Sequence, residues 1–164
     1  VILALRFLSQ LFWAFRVVGF CGSRSGCPEL PLLSLVALCA GLRVLVGDAR
    51  GVDALVRSAL PSAEVFSVVG SGRGAFVARS IRFIRALVAA GGVLVSFPGQ
   101  PCPVGLAPSP LSSRCFCGLG SGSWASVAFA CGLRLPVVVW VACPSWVPTW
   151  GFRSIGAGFW VAGA

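Results

Sequence analysis

Short apolar runs that each stop at a glycine or proline-glycine turn constrain this chain more than any other feature. Arg16–Phe20 (RVVGF) stops at Cys21-Gly22-Ser23-Arg24, and Arg43–Val46 (RVLV) stops at Gly47-Asp48-Ala49-Arg50-Gly51. Glu64–Val69 (EVFSVV) runs into Gly70-Ser71-Gly72-Arg73-Gly74, and Val93–Phe97 (VLVSF) into Pro98-Gly99. Pro136–Val141 supplies a fifth run. Segments of helical length lie between them: the stretch after Pro28 up to Gly41, then Val52–Leu60, Phe76–Ala90 and Trp124–Leu133. Alternation at this spacing predicts βαβ units and a mostly parallel, Rossmann-like α/β sheet of about five strands with helices on both faces. Continuous apolar strands are what a sheet covered on both sides requires. In such sheets ligands bind beyond the carboxyl ends of the strands, so the turns after Gly22, Gly47, Gly70 and Pro98 are expected on one rim.

Within Phe76–Ala90, Val77, Ile81, Ile84 and Val88 recur at helical spacing and predict the buried face, which leaves Arg79, Arg82 and Arg85 on solvated faces. Residues 98–123 read as a long Pro/Gly/Ser/Cys loop, of a length that is often functional. Residues 1–15 read as an apolar extension ahead of a domain spanning 16–141, and 142–164 as an apolar tail without a clear period. Both ends are apolar, but Arg6 and Arg16 interrupt the first and Pro136, Pro144 and Pro148 the second, so neither is expected to span a membrane.

Thirteen basic residues stand against four acidic ones, and every basic residue is Arg. Arg presents a rigid fork of donors matched to phosphate oxygens, and a positive balance favours polyanionic partners. Lys, His, Asn, Tyr and Met are absent, and most of these use codons with adenine at the second position, so the Arg excess also has a codon-bias reading. Without His there is no Ser-His-Asp or Cys-His pair, no imidazole base and no imidazole metal ligand. Several of the eight cysteines lie in apolar runs, which predicts free thiols in a reducing, cytoplasmic setting rather than disulfides. The close pair Cys115 and Cys117 lacks the partner pair a zinc site needs, so no metal and no cofactor are expected.

The loops offer the chemistry. Gly120-Ser121-Gly122-Ser123 precedes a helix, where glycines admit a phosphate to backbone N–H groups and Ser121 or Ser123 can act as N-cap. Gly22-Ser23-Arg24 combines a tight turn with a hydroxyl and a guanidinium. Gly47-Asp48-Ala49-Arg50-Gly51-Val52-Asp53 holds two of the four carboxylates, which can cap a helix or accept from a ribose hydroxyl, with an Arg50–Asp53 ion pair as the plainer reading. Gly70-Ser71-Gly72-Arg73-Gly74 reads as a flexible basic loop that can touch a polyanion, with a mobile connection as the plainer reading. Phe20, Phe97, Phe116 and Trp124 flank these loops, as stacking platforms or as core.

In this order the motifs resemble those of the DNA-processing protein A (DprA/Smf) family and its wider SLOG superfamily, which includes the LOG-type nucleotide phosphoribohydrolases. Gly22-Ser23-Arg24 resembles that family's G-S-R, VGDARGVDALVRSAL (46–60) its G-x-A-R-G-I-D segment, and ALVAAGGVLVSFPGQPCPVGLAP (86–108) its G-A-L-L-S-E-Y-P-P-G stretch, with Ser96 at the serine. Gly120–Ser123 and the following ASVAFACGLRLPVVVW resemble its S-G-S segment, helix and last strand. Ahead of S-G-S only Ser113–Leu119 stands in place of a longer segment, and Arg114 stands near one of its arginines. The resemblance implies a nucleotide or single-stranded DNA as partner, with room for a homo-oligomer. The implied binding residues are Gly22, Ser23, Arg24, Gly47, Asp48, Arg50, Gly51, Asp53, Ser96, Arg114, Gly120, Ser121, Gly122 and Ser123. The phosphoribohydrolases' glutamate would fall near Ser126, so binding without catalysis is expected. A nucleotide N-glycosidase using Asp48 or Asp53 is the alternative, and a membrane-associated protein the second.

Overall fold

The computed structural model describes residues 1–164. Five parallel strands, β1 (Val17–Gly22), β2 (Arg43–Gly47), β3 (Glu64–Phe66), β4 (Val93–Phe97) and β5 (Val137–Trp140), lie in the order β3-β2-β1-β4-β5. β1 pairs with both β2 and β4, so the winding reverses between β1 and β4. This is the topological switch point of a doubly wound sheet, where the loops on the two sides diverge and leave a crevice.

The sheet has seven strands rather than five. β6 (Arg153–Gly156) and β7 (Phe159–Ala162) form a hairpin whose second strand pairs antiparallel with β5. The segment read as an apolar tail therefore continues the sheet. Gly156, Ala157 and Gly158 all hold positive φ at its turn. Two four-residue strands around such a turn are too short to display a period of two.

The apolar extension at residues 1–15 packs on the domain as well. Ile2–Phe15 forms α1, whose Ala4, Leu8 and Phe12 fall on one stripe and are buried in the same core as β1. Burial of side chains such as Leu8 and Phe12 is worth about 1.5–3 kcal/mol each. Helices α2 (Glu29–Leu38) and α3 (Val52–Ala59) cover this face together with α1. On the opposite face α4 (Arg73–Ala89) packs beside α6 (Gly122–Gly132), burying Phe83, Leu87, Trp124 and Phe129 against Leu45, Leu94 and Val139. The short helix α5 (Ser112–Cys115) interrupts the long loop before α6. No helix is long and apolar enough to cross a membrane.

α4 turns a different face inward from the one its valines and isoleucines suggest. The buried residues are Arg79, Phe83, Ile84 and Leu87, while Val88 is exposed and Val77 and Ile81 are half-buried. Arg79, Phe83 and Leu87 lie at i, i+4 and i+8, so one stripe carries both the aromatic anchor and an arginine. That stripe can face the sheet because carboxylates receive the guanidinium there. Arg82 and Arg85 are exposed, as expected.

Candidate functional site

A cleft of about 790 Å³ opens at the switch point, over the carboxyl ends of β1, β2 and β4 and between the N-termini of α4 and α6. Of the residues singled out in the sequence, Gly22, Ser23, Arg24, Gly47, Asp53, Gly120, Ser121, Gly122 and Ser123 line it. Asp48, Arg50, Gly51, Ser96 and Arg114 do not. Arg50 and Arg114 are exposed outside it, and Ser96 is fully buried with its Oγ unpartnered. Asp48 and Gly51 support the cleft from behind.

Close approach of three turns builds the floor. Gly51, at φ +76°, precedes α3, and a Cβ there would collide with the Ser23 carbonyl oxygen and the Arg24 backbone. Val52 N–H donates to that same Ser23 carbonyl at 3.1 Å, and Ser23 N–H donates to Phe97 O at 2.9 Å. The A-R-G-V-D turn is thus fastened to the G-S-R turn, which is fastened to the end of β4. Gly51 is needed for this contact rather than for touching a ligand.

Beneath the floor lies a charge cluster. Arg79 Nη1 donates to Asp48 Oδ1 at 2.7 Å and stands 3.8 Å from Asp53 Oδ2. Asp48 Oδ2 also accepts from Val68 N–H at 2.8 Å, and Asp53 Oδ2 from Ala49 N–H at 3.2 Å. Arg57 donates to the Gly47 and Ala49 carbonyls. The expected Arg50–Asp53 pair is not formed; Arg79 takes that place across 26 positions of sequence. Neither aspartate caps α3, because both are engaged elsewhere and Gly51 is the N-cap. Burial raises the Asp53 carboxyl above its ordinary value, against the opposing pull of Arg79, the Ala49 N–H and Arg57, with Asp48 adding to the rise. Cys21 sits on the floor with its thiol pushed up to about 12 by burial, so it is not a nucleophile near neutral pH.

The rim differs. Ser121 is the N-cap of α6, its Oγ accepting from Trp124 N–H at 3.2 Å, while the Trp124 indole donates to Gln100 O at 2.8 Å. The helix start is thereby held over the end of β4. The backbone N–H groups of Gly122 and Ser123 have no partner and belong to the positive end of the helix. Arg24 and Arg73 line the cleft without a carboxylate partner. Arg24 lies over the Phe76 ring, 4.5 Å from its centroid. Arg73 opens α4, so the glycine-rich 70–74 stretch is partly a helix start at the cleft rather than a free connection.

Three residues carry most of what sequence reasoning missed: Phe76, Arg79 and Gln100. Arg73 was legible as the basic residue of the Gly70–Gly74 loop, whereas nothing local marked Gln100. Of the aromatic candidates, Phe20, Phe97 and Trp124 are fully buried, Phe20 at the cleft floor, and cannot stack on a ligand, whereas Phe116 lines the cleft and is partly exposed. All eight cysteines are free; Cys39 and Cys115 are buried and Cys117 is exposed. No family model, curated protein or solved structure matches the chain, so the role of the cleft is read from its own geometry.

Proposed function

We propose that this protein binds a nucleotide through its phosphate, as a free mononucleotide or as one unit of single-stranded DNA. The observation that carries the reading is convergence. The free N–H groups of Gly122 and Ser123 and the uncompensated guanidiniums of Arg24 and Arg73 all belong to one cleft at the switch point. Helix N-termini and Arg forks are the two protein features best matched to phosphate oxygens. The volume of about 790 Å³ suits a ligand of nucleotide size. Phe76 and Phe116 offer faces for a base, and the exposed Arg82 and Arg85 on α4 suit a strand leaving the cleft. This is the behaviour that the motif resemblance to the DNA-processing SLOG proteins implies, and eight free thiols suit the cytoplasm.

The test is titration with a fluorescent single-stranded oligonucleotide at two salt concentrations, with a mononucleotide as competitor. Binding that weakens steeply with salt and is displaced by the mononucleotide supports Arg–phosphate contacts along a strand. Mononucleotide binding without strand binding narrows the ligand to a small molecule. Absence of both overturns the reading.

A further inference from the structure

The five parallel strands start at the end of the sheet opposite the cleft, and the residues just ahead of them gather there. Arg43 opens β2, Arg16 stands immediately ahead of β1, and Arg134 lies three positions ahead of β5. Arg43 N–H donates to the Arg16 carbonyl at 3.2 Å, so these two are neighbours. β4 lies between β1 and β5, so the strands that Arg16 and Arg134 lead into are roughly 10 Å apart. All three arginines are exposed. Glu29, Asp48 and Asp53 lie on connections that leave strand ends, at the cleft side. Glu64 is the one acid at this amino end, and its Oε2 already accepts from Arg43 Nε at 3.1 Å and Nη2 at 2.8 Å. Arg16 and Arg134 form no ion pair.

Two further observations bear on what these arginines meet. The first is aromatic. Trp13 and Phe76 are the exposed large aromatic side chains, at 47% and 37%. Phe76 lies under Arg24 in the cleft, and Trp13 lies under Arg16, whose guanidinium carbon is 4.4 Å from the ring centroid. The amino end therefore repeats the guanidinium-on-aromatic pair of the cleft. Arg134 shares a shallow cavity of about 290 Å³ with the half-buried Trp150, beside Leu135 and Gly163. The second observation is in the backbone. Arg16 and Arg134 hold φ of +66° and +62°, and are two of the three non-glycine residues at positive φ. Each follows a helix, where the chain turns out of it and glycine fits best. The backbone gains nothing from arginine at either place, so the side chain accounts for it.

We propose that the amino end of the sheet is a second nucleic-acid surface, holding a single strand by its phosphates on Arg16 and Arg134 and by base stacking at Trp13. Arginine forks with an exposed aromatic are the combination that binds single strands without regard to sequence. A lipid surface of the same charge would need aliphatic side chains to insert. The exposed Ile2 and Leu3 lie at the start of α1, the far end of that helix from Trp13. This surface stands apart from the cleft and does not depend on what the cleft binds.

The experiment is fluorescence anisotropy of the full chain with a labelled oligothymidylate of about 16 nucleotides. It is run with adenosine 5′-monophosphate in excess, and repeated on Arg24→Ala/Arg73→Ala and on Arg16→Gly/Arg134→Gly. The oligonucleotide is expected to bind still when the cleft is occupied or disabled. Arg16→Gly/Arg134→Gly is expected to weaken that binding at least about tenfold and to flatten its salt dependence by about 1.4 in slope, for two phosphate contacts. Its melting temperature is expected to stay level or rise, because glycine relaxes both positions. Oligonucleotide binding that vanishes in Arg24→Ala/Arg73→Ala overturns the proposal and leaves the cleft reading standing. Undiminished binding by Arg16→Gly/Arg134→Gly overturns it as well. So does cosedimentation with phosphatidylserine vesicles, lost in that variant, in place of oligonucleotide binding. Should the glycine variant melt lower or fail to fold, Trp13→Ala decides, and an unchanged affinity there overturns the proposal.

Discussion

The floor and the rim of the cleft are built from the same residue type and use it in opposite ways. On the floor, Arg79 is buried and its charge is met by Asp48 and Asp53. On the rim, Arg24 and Arg73 are exposed and meet no carboxylate. A guanidinium neutralised inside the protein holds the fold together and has little left for a ligand. One that is held in place without a counter-charge raises the local potential and waits for an anion. A chain with thirteen arginines and four acids therefore cannot be read from its net charge. What counts is which arginines the few carboxylates have claimed.

That contrast can be broken, and the largest effect belongs to the floor. Arg79→Ala leaves Asp53 buried without its main counter-charge and is expected to cost about 3–5 kcal/mol, read as a fall in the urea midpoint. A loss under about 1 kcal/mol, the range of surface pairs, would mean that the floor pair is not structural. Gly51→Ala forces an L residue into φ +76° against the Ser23 carbonyl. The strain alone is worth about 1–3 kcal/mol, and because it loosens the G-S-R turn, nucleotide affinity is expected to fall with stability.

The rim is expected to behave in reverse. Arg24→Ala and Arg73→Ala should each weaken nucleotide binding roughly tenfold, with stability unchanged to within about 0.5 kcal/mol. Parallel losses of affinity and melting temperature would erase the distinction between rim and floor. Ser121→Ala removes the α6 cap and is expected to cost about 1 kcal/mol, sharpening the comparison because this rim residue is structural through its side chain and binding through its neighbours' N–H groups.

The smallest effect is in the pH profile. Asp53 holds its proton more tightly folded than unfolded, because burial disfavours its charge. Its contribution to stability is therefore fully present below the ordinary carboxyl value of 3.8 and is lost as pH rises through the raised folded value. The melting temperature of the unmodified protein relative to Asp53→Asn should fall as pH is raised from about 4 to 7. The groups facing Asp53 are Arg79, Arg57, Asp48 and the Ala49 N–H. A flat difference would show that these neighbours fully offset burial.

Much of this architecture was legible in the chain. The five apolar runs and their glycine turns specify the parallel strands, because a strand covered on both faces must be apolar throughout and must leave the sheet at a residue that can turn. The turns after β1 and β2, with the Gly120–Ser123 loop ahead of α6, supplied the nine singled-out residues that line the cleft, since chain direction alone brings the strand-to-helix connections to one side of a parallel sheet. The ends of the chain were not legible. α1 is apolar almost all round, so its own periodicity does not reveal which stripe is buried, and the β6–β7 hairpin is too short to show alternation.

What the sequence determined by itself is local: where the backbone can turn, which segments are apolar enough to be covered, and that phosphate-compatible loops follow the strands. What only the tertiary structure decided is pairing. Arg79 and Asp53 are 26 positions apart, and no spacing rule connects one helix to the next across an intervening strand. Which arginine is buried against carboxylates and which is left free at the cleft depends on how α4 rotates against the sheet. That rotation is set by the packing of Phe83 and Leu87 and by the charge waiting beneath them, a property of the assembled layers rather than of any one segment.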